Sequence, residues 1–136
     1  MAPVSSRTQT DVPELVFAAP LLGLEHLSRF VLVALDEDSP LFSLQSLEQE
    51  DVRLLVLAPG AVFADYLPPL DALTLAAVGA GTPEDVLFLV VVTAGASVAE
   101  STANLLAPII VHATTGRAAQ AVLTGTTYPL RAPLAA

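Results

Sequence analysis

Glu25 and His26 are neighbours, and His112 is the only other histidine in the chain. These three side chains are the raw material for a metal centre or an acid–base pair. A small metal-binding or enzymatic barrel using Glu25, His26 and His112 is therefore the alternative reading of the sequence. The spacing argues against it. A metal needs a further ligand in suitable geometry, and adjacent residues on a strand point to opposite faces, so Glu25 and His26 would not chelate together there. Surface or interface positions suit them better. Other catalytic signatures do not occur in the sequence: no nucleophile elbow, Walker loop, dinucleotide fingerprint or zincin helix. Gly79-Ala80-Gly81 invites a phosphate-loop reading, but with no lysine and no long helix after it the triplet reads as a bare turn. With no cysteine there is no thiolate nucleophile, disulfide frame or cysteine metal site. No catalytic residue, metal or cofactor is expected.

The densest acids are Asp36-Glu37-Asp38 and the group Glu48, Glu50 and Asp51. Paired carboxylates can perform acid–base work or bind calcium. Both groups fall in expected turns, where they read as solvated acids or as a face for a basic partner. They flank one strand at its opposite ends, so a footprint using both would run along that strand. Gln45 and Ser46 end the same strand, where hydrogen bonding to nearby backbone is the plain reading. Asn104 and Pro108 bracket Leu105-Leu106-Ala107, and an asparagine there most simply caps a turn.

The elements that must hold these residues follow from composition and pattern. The chain has 136 residues, of which 54% are apolar and 14% charged. That suits one domain with a real core and excludes disorder of the whole chain. Fourteen acids against five arginines leave a net charge of −9. Phosphate backbones would repel such a chain, so direct nucleic-acid binding is not expected and a basic protein partner is. Met1 to Thr10 lacks the apolar stretch of a signal peptide. The longest apolar run, Val86 to Val92, is too short to span a bilayer. A soluble cytoplasmic protein with no membrane contact is expected.

Short apolar segments broken by proline, glycine and acids give an all-β rhythm. Strands are predicted at Glu14 to Phe17, Leu27 to Leu35, Leu41 to Ser46, Val52 to Leu57, Val86 to Thr93, Asn104 to His112 and Arg117 to Leu123. The second reads as buried on both faces and the third as half-exposed. Pro108 should place the Asn104 to His112 strand at a sheet edge or a bulge. Asp71 to Val78 is the best helix, with Leu73 and Ala77 on one face and Gly79 past its end. A helical turn should start at Thr82-Pro83. The expected fold is a small antiparallel β-barrel or sandwich-like barrel with one or two short helices. Residues 1–11 are expected to be a disordered tail, 12–130 the single domain, and 131–136 a flexible tail.

In order and spacing, the motifs resemble the FliW family of flagellar assembly factors. The resemblance rests on Gly23-Leu24-Glu25 with Phe30-Val31-Leu32, then Leu44-Gln45-Ser46, Pro59, Asp65-Tyr66, and Pro83-Glu84-Asp85-Val86-Leu87 leading to Val92-Thr93. The strongest stretch is Thr102-Ala103-Asn104-Leu105-Leu106-Ala107-Pro108-Ile109-Ile110-Val111. Gln120, Tyr128-Pro129-Leu130-Arg131 and Pro133-Leu134 mark the end. There are departures: Pro20-Leu21-Leu22-Gly23-Leu24-Glu25 replaces the usual Gly-Leu-Pro-Gly-Phe-Glu entry, Glu50 stands for a turn proline, Leu54 for an aromatic and His112 for an asparagine.

The resemblance implies a non-enzymatic protein that switches partners. Free intracellular flagellin occupies it; export of flagellin releases it to bind the carbon storage regulator CsrA, which then leaves flagellin mRNA so that synthesis resumes. It also implies protection of flagellin before export. Asp36, Glu37, Asp38, Gln45, Glu48, Glu50 and Asp51 are the expected face for the basic regulator. Flagellin is expected to offer an amphipathic helical terminus, which needs an apolar groove or open strand edge. Asn104, Leu105, Pro108 and Ile110, on the expected edge strand, are the candidates for it. The free protein is expected to be a monomer.

Overall fold

Among the described residues nine strands form, the longest from segments rich in apolar residues that turns bring to a stop. In the computed structural model the described residues are 14–18, 21, 23–35, 40–49, 51–66, 68–70, 72–123 and 126–134. The strands are β1 (Leu15–Phe17), β2 (Arg29–Ala34), β3 (Leu41–Ser46), β4 (Arg53–Leu57), β5 (Val86–Thr93), β6 (Thr102–Ala103), β7 (Ile109–His112), β8 (Arg117–Gln120) and β9 (Ala132–Pro133). Seven of them close a barrel in the order β1-β2-β3-β4-β5-β7-β8, and β8 returns to β1. That closing pair is parallel, Val16 opposite Arg117 and Phe17 opposite Ala118; the other pairings are antiparallel. Beyond Val91, β5 leaves the barrel to pair with β6, which pairs in turn with β9.

The turns explain where strands stop. The Oγ of Ser46 accepts the N–H groups of Glu48 and Gln49 at 3.0 and 2.9 Å, which ends β3 and turns the chain toward β4. α1 (Ala72–Ala77) ends where Gly79 N–H donates to Ala76 and Ala80 N–H to Leu75. Gly79 sits at φ 73°, the left-handed conformation that such a helix end requires and glycine adopts without strain. A 3-10 turn, Pro83–Asp85, starts at Thr82 with a reciprocal cap between Thr82 and Asp85 and feeds directly into β5. A Cβ at Gly95 would run into the Glu100 carbonyl, so the loop from β5 to β6 can close only on a glycine.

The barrel interior holds Phe30, Leu44, Val56, Leu89 and Ile109, with Phe17 set edge-on to Phe30 at 5.4 Å between ring centres. The opposite sides of β5 and β7 are also covered. Val86 and Ile110 pack against Val78 and Leu75 around α1, while Val90 and Val92 pack against Tyr66 and Leu105. This double coverage is why β5 is an almost unbroken apolar run.

Several sequence-based expectations are corrected. β2 is not buried on both faces: Val33 is exposed, because its outer face meets solvent. Leu73, expected to share a face with Ala77, is 82% exposed, whereas Ala77 packs against the core together with Leu75. Of the strand expected over Asn104 to His112 only Ile109–His112 forms, as β7, because the Oδ1 of Asn104 accepts the N–H groups of Leu106 and Ala107, each at 3.1 Å, and turns the chain after β6. Within the stretch expected to be a flexible C-terminal tail, Ala132 and Pro133 form β9. The expected disordered N-terminal residues 1–11 and Asp71, the expected first residue of the helix, lie outside the described residues.

Candidate partner-binding groove

The two ends of the barrel differ. At one end, the β1–β2 connection folds over the interior and drops Leu21 and Leu27 into it, both under 5% exposed. Glu48 fastens this end from the β3–β4 connection: its Oε1 accepts Ser28 N–H at 2.7 Å and Arg29 N–H at 3.0 Å. Those two donors, Ser28 before Arg29, hold the Glu48 carboxyl below its ordinary pKa. Arg29 makes a two-pronged pair with Glu14, Nε to Oε2 at 2.6 Å and Nη2 to Oε1 at 3.1 Å. That hydrogen bond lowers the Glu14 pKa and raises that of Arg29. The carboxylate of Glu25 accepts Gly23 N–H, and backbone donors, its own ahead of that of Gly23, lower its pKa.

The other end is open. Here β4 leaves the sheet: Ala58 N–H turns back to the Pro40 carbonyl, and Pro59–Ala61 makes a 3-10 turn. A groove of about 410 Å³ lies in the gap. One wall is the barrel interior, with Leu15, Leu32, Phe42, Leu89 and Val111. The other is Pro59, Gly60, Tyr66 and Phe88, and Leu87 stands at the rim, 58% exposed. The groove is of ligand-cleft size and overwhelmingly apolar. Its titratable members among the described residues are Tyr66 and His112. Tyr66 donates to the Leu105 carbonyl at 2.7 Å, and burial, with a smaller contribution from Tyr128, pushes its phenol upward in pKa, so it is a neutral donor. His112 accepts the N–H groups of Thr114 and Thr115 through Nδ1, at 3.1 and 3.3 Å. An imidazole nitrogen that accepts leaves the ring proton of the neutral form on Nε2.

The expected site residues scatter over this frame. Glu25 and His26 belong to the closed end, where His26 contacts Gln49, while His112 is at the open end opposite Val86. A shared metal or catalytic site from these three is overturned by that separation, and among the described residues no group of three metal-ligating side chains comes together. Asp36, Glu37, Asp38 and Glu50 lie outside the described residues. Glu48 works as a structural acceptor, and Asp51 is exposed in its turn. Gln45 is half-buried on β3, its amide donating to Ser43 Oγ at 3.2 Å.

The open edge expected at Asn104 to Ile110 is a correction as well. β7 is paired on both sides, with β5 and β8. Pro108 precedes its first residue, the one strand position where a missing N–H costs no ladder bond. Pro108 and Ile110 are fully buried, Leu105 is 5% exposed and Asn104 is half-buried. Sequence reasoning missed Leu87, Phe88 and Pro59 as groove residues. The signal available was a mismatch in length: β5 has eight residues and β4 five, and Pro59-Gly60 follows where β4 stops.

Comparisons with known proteins meet this geometry. The family model described as "FliW protein" matches residues 5–134. The chain belongs to the FliW family. Among its relatives, the flagellar assembly factor FliW of Bacillus licheniformis is 34% identical over 129 residues, covering 93% of this chain and 90% of that one. The flagellar assembly factor FliW of Thermotoga neapolitana is 35% identical over 123 residues, covering 90% and 83%. A crystal structure of the flagellar assembly factor FliW superposes with a TM-score of 0.84 at 26% identity, over 97% of this chain and 91% of the other. The FliW barrel is thus the architecture described above. No helix among the described residues is long and apolar enough to cross a membrane.

Proposed function

We propose that this FliW-family chain is a cytoplasmic, non-enzymatic flagellar assembly factor that binds flagellin and, when flagellin is exported, binds CsrA and frees flagellin mRNA for translation. Membership of the family along nearly the whole chain carries this reading. Two physical features support it. The net charge of −9 favours encounter with a basic RNA-binding regulator and disfavours RNA itself. The open end of the barrel offers an apolar groove of the kind a protein segment fills. The free protein is proposed to be a monomer, with no cofactor and no nucleic-acid or membrane partner.

Calorimetric titration with the cognate regulator and with flagellin, at two salt concentrations, tests the reading. Regulator binding that weakens with salt, and that disappears when flagellin is already bound, is the expected result. Silence with both partners would remove the reading. Replacing Asp36, Glu37 and Asp38 together by lysine should weaken regulator binding at least tenfold; unchanged affinity would take those acids out of the mechanism.

A further inference from the structure

The open end of the barrel has a backbone feature as well as an apolar one. Ala113 N–H donates to the Asp85 carbonyl at 2.9 Å. In an antiparallel ladder, hydrogen-bonded pairs alternate, so Leu87 and Leu89 also direct their backbone groups at β7. Val86 and Phe88 therefore direct theirs to the other side, toward β4. The N–H of Val86 is taken by Pro83. By register, the residue of β4's continuation opposite Phe88 is Pro59 (Val56 faces Val91 and Leu57 faces Val90). Proline has no N–H, and the chain has already turned away there. Among the described residues, the Val86 carbonyl and both backbone groups of Phe88 have no hydrogen-bond partner. Among the described residues, β5 thus keeps a short free strand edge at this end of the barrel, and the groove lies along it.

The walls fit a strand laid in that gap. Alternate side chains of an added strand point to opposite faces. One set would meet Leu32 and Phe42 on the interior side, the other Pro59 and Tyr66. Both faces are apolar, so the central residues of the ligand should be apolar. Among the described residues no arginine lines the groove, while Glu84 and Asp85 immediately precede β5 and the whole chain carries −9. The ends of the ligand should therefore be basic.

We propose that the free edge of β5 at Phe88 takes an extended apolar segment with basic flanks from a partner protein, which adds to the barrel as a strand. The proposal rests on the reading of the groove as a partner site and names what that groove recognises: backbone first, side chains second.

The probe is a capped pentapeptide with three central apolar residues between two arginines, added to the full-length isotope-labelled protein. The Phe88 amide should exchange fast with solvent in the free protein and at least tenfold more slowly when the peptide is saturating. N-methylation of the peptide's central amide, or replacement of its arginines by glutamates, should weaken binding at least tenfold. Leu87→Asp should abolish binding without changing the melting temperature. Failure of the peptide to bind, binding that leaves Phe88 exchange unchanged, or equal affinity for the N-methylated peptide would overturn the proposal. So would Phe88 protection in the free protein that rises with its concentration, because the occupant would then be a second copy of the chain. Flagellin binding with no change at Phe88 sinks strand addition and leaves the functional reading intact. Peptide binding with Phe88 protected, but no affinity for flagellin or the regulator, supports strand addition and sinks the functional reading.

Discussion

The closed and open ends of the barrel are built from the same strands and behave as opposites. At the closed end, Leu21 and Leu27 fill the interior, and Glu48 accepts two backbone donors at the entry to β2. At the open end, β4 stops early, Leu87 is exposed, and Phe88 has backbone groups without partners among the described residues. Apolar surface and polar backbone both lower the free energy when covered. An end that leaves both uncovered is organised for something outside the chain, and one that covers both contributes to stability. The difference separates residues that hold the fold from residues available to a partner.

Variants can break or sharpen this contrast. The largest effect should come from the filled interior: Phe30→Ala removes a fully buried ring packed against Phe17 and should cost about 3–5 kcal/mol in denaturant unfolding. A loss below about 1 kcal/mol would mean that the interior is less tightly packed than its burial implies. Tyr66→Phe keeps the groove wall but leaves the buried Leu105 carbonyl without its donor, and should cost about 1–3 kcal/mol.

Acid should act mainly at the closed end. Glu48, Glu14 and Glu25 all have folded pKa values below their ordinary ones. Their contribution is complete above the ordinary carboxylate pKa and is lost as pH falls through the lowered folded values. Thermal melts should therefore show stability declining with acid below about pH 4.5, the ordinary glutamate value. Glu48→Gln, which keeps an acceptor oxygen, should reduce the slope of that decline. An unchanged slope would exclude Glu48 from it. The smallest effect belongs to the open end: Leu87→Ser at the exposed rim should change stability by no more than about 0.5 kcal/mol. A larger loss would show that Leu87 supports the fold and would erase the contrast between the ends.

Much of this was legible before any coordinates. The limits of β3 and β5 coincide with the alternating segment Leu41 to Ser46 and the apolar run Val86 to Thr93, because alternation in the one and β-branched and aromatic residues in the other, each between turn formers, leave few other options. The glycine stop after α1 and the capped turn at Thr82 are local hydrogen-bond patterns, and local patterns are written in adjacent residues. The family could be read from the order of its motifs, and the family match over residues 5–134 agrees.

What the sequence determined by itself was the seven strands of the barrel, several of their turns and the acidic balance, since each depends on near neighbours or on simple counting. The short strands β6 and β9 appeared only in the fold. Tertiary structure decided which strands share an edge. Pro108 looks like an edge marker in sequence, yet it sits at the start of a strand paired on both sides. A free edge belongs instead to β5, an almost unbroken apolar strand, because its partner β4 turns away at Pro59. Pairing between residues some thirty positions apart depends on how the barrel closes, and no local residue pattern encodes that closure.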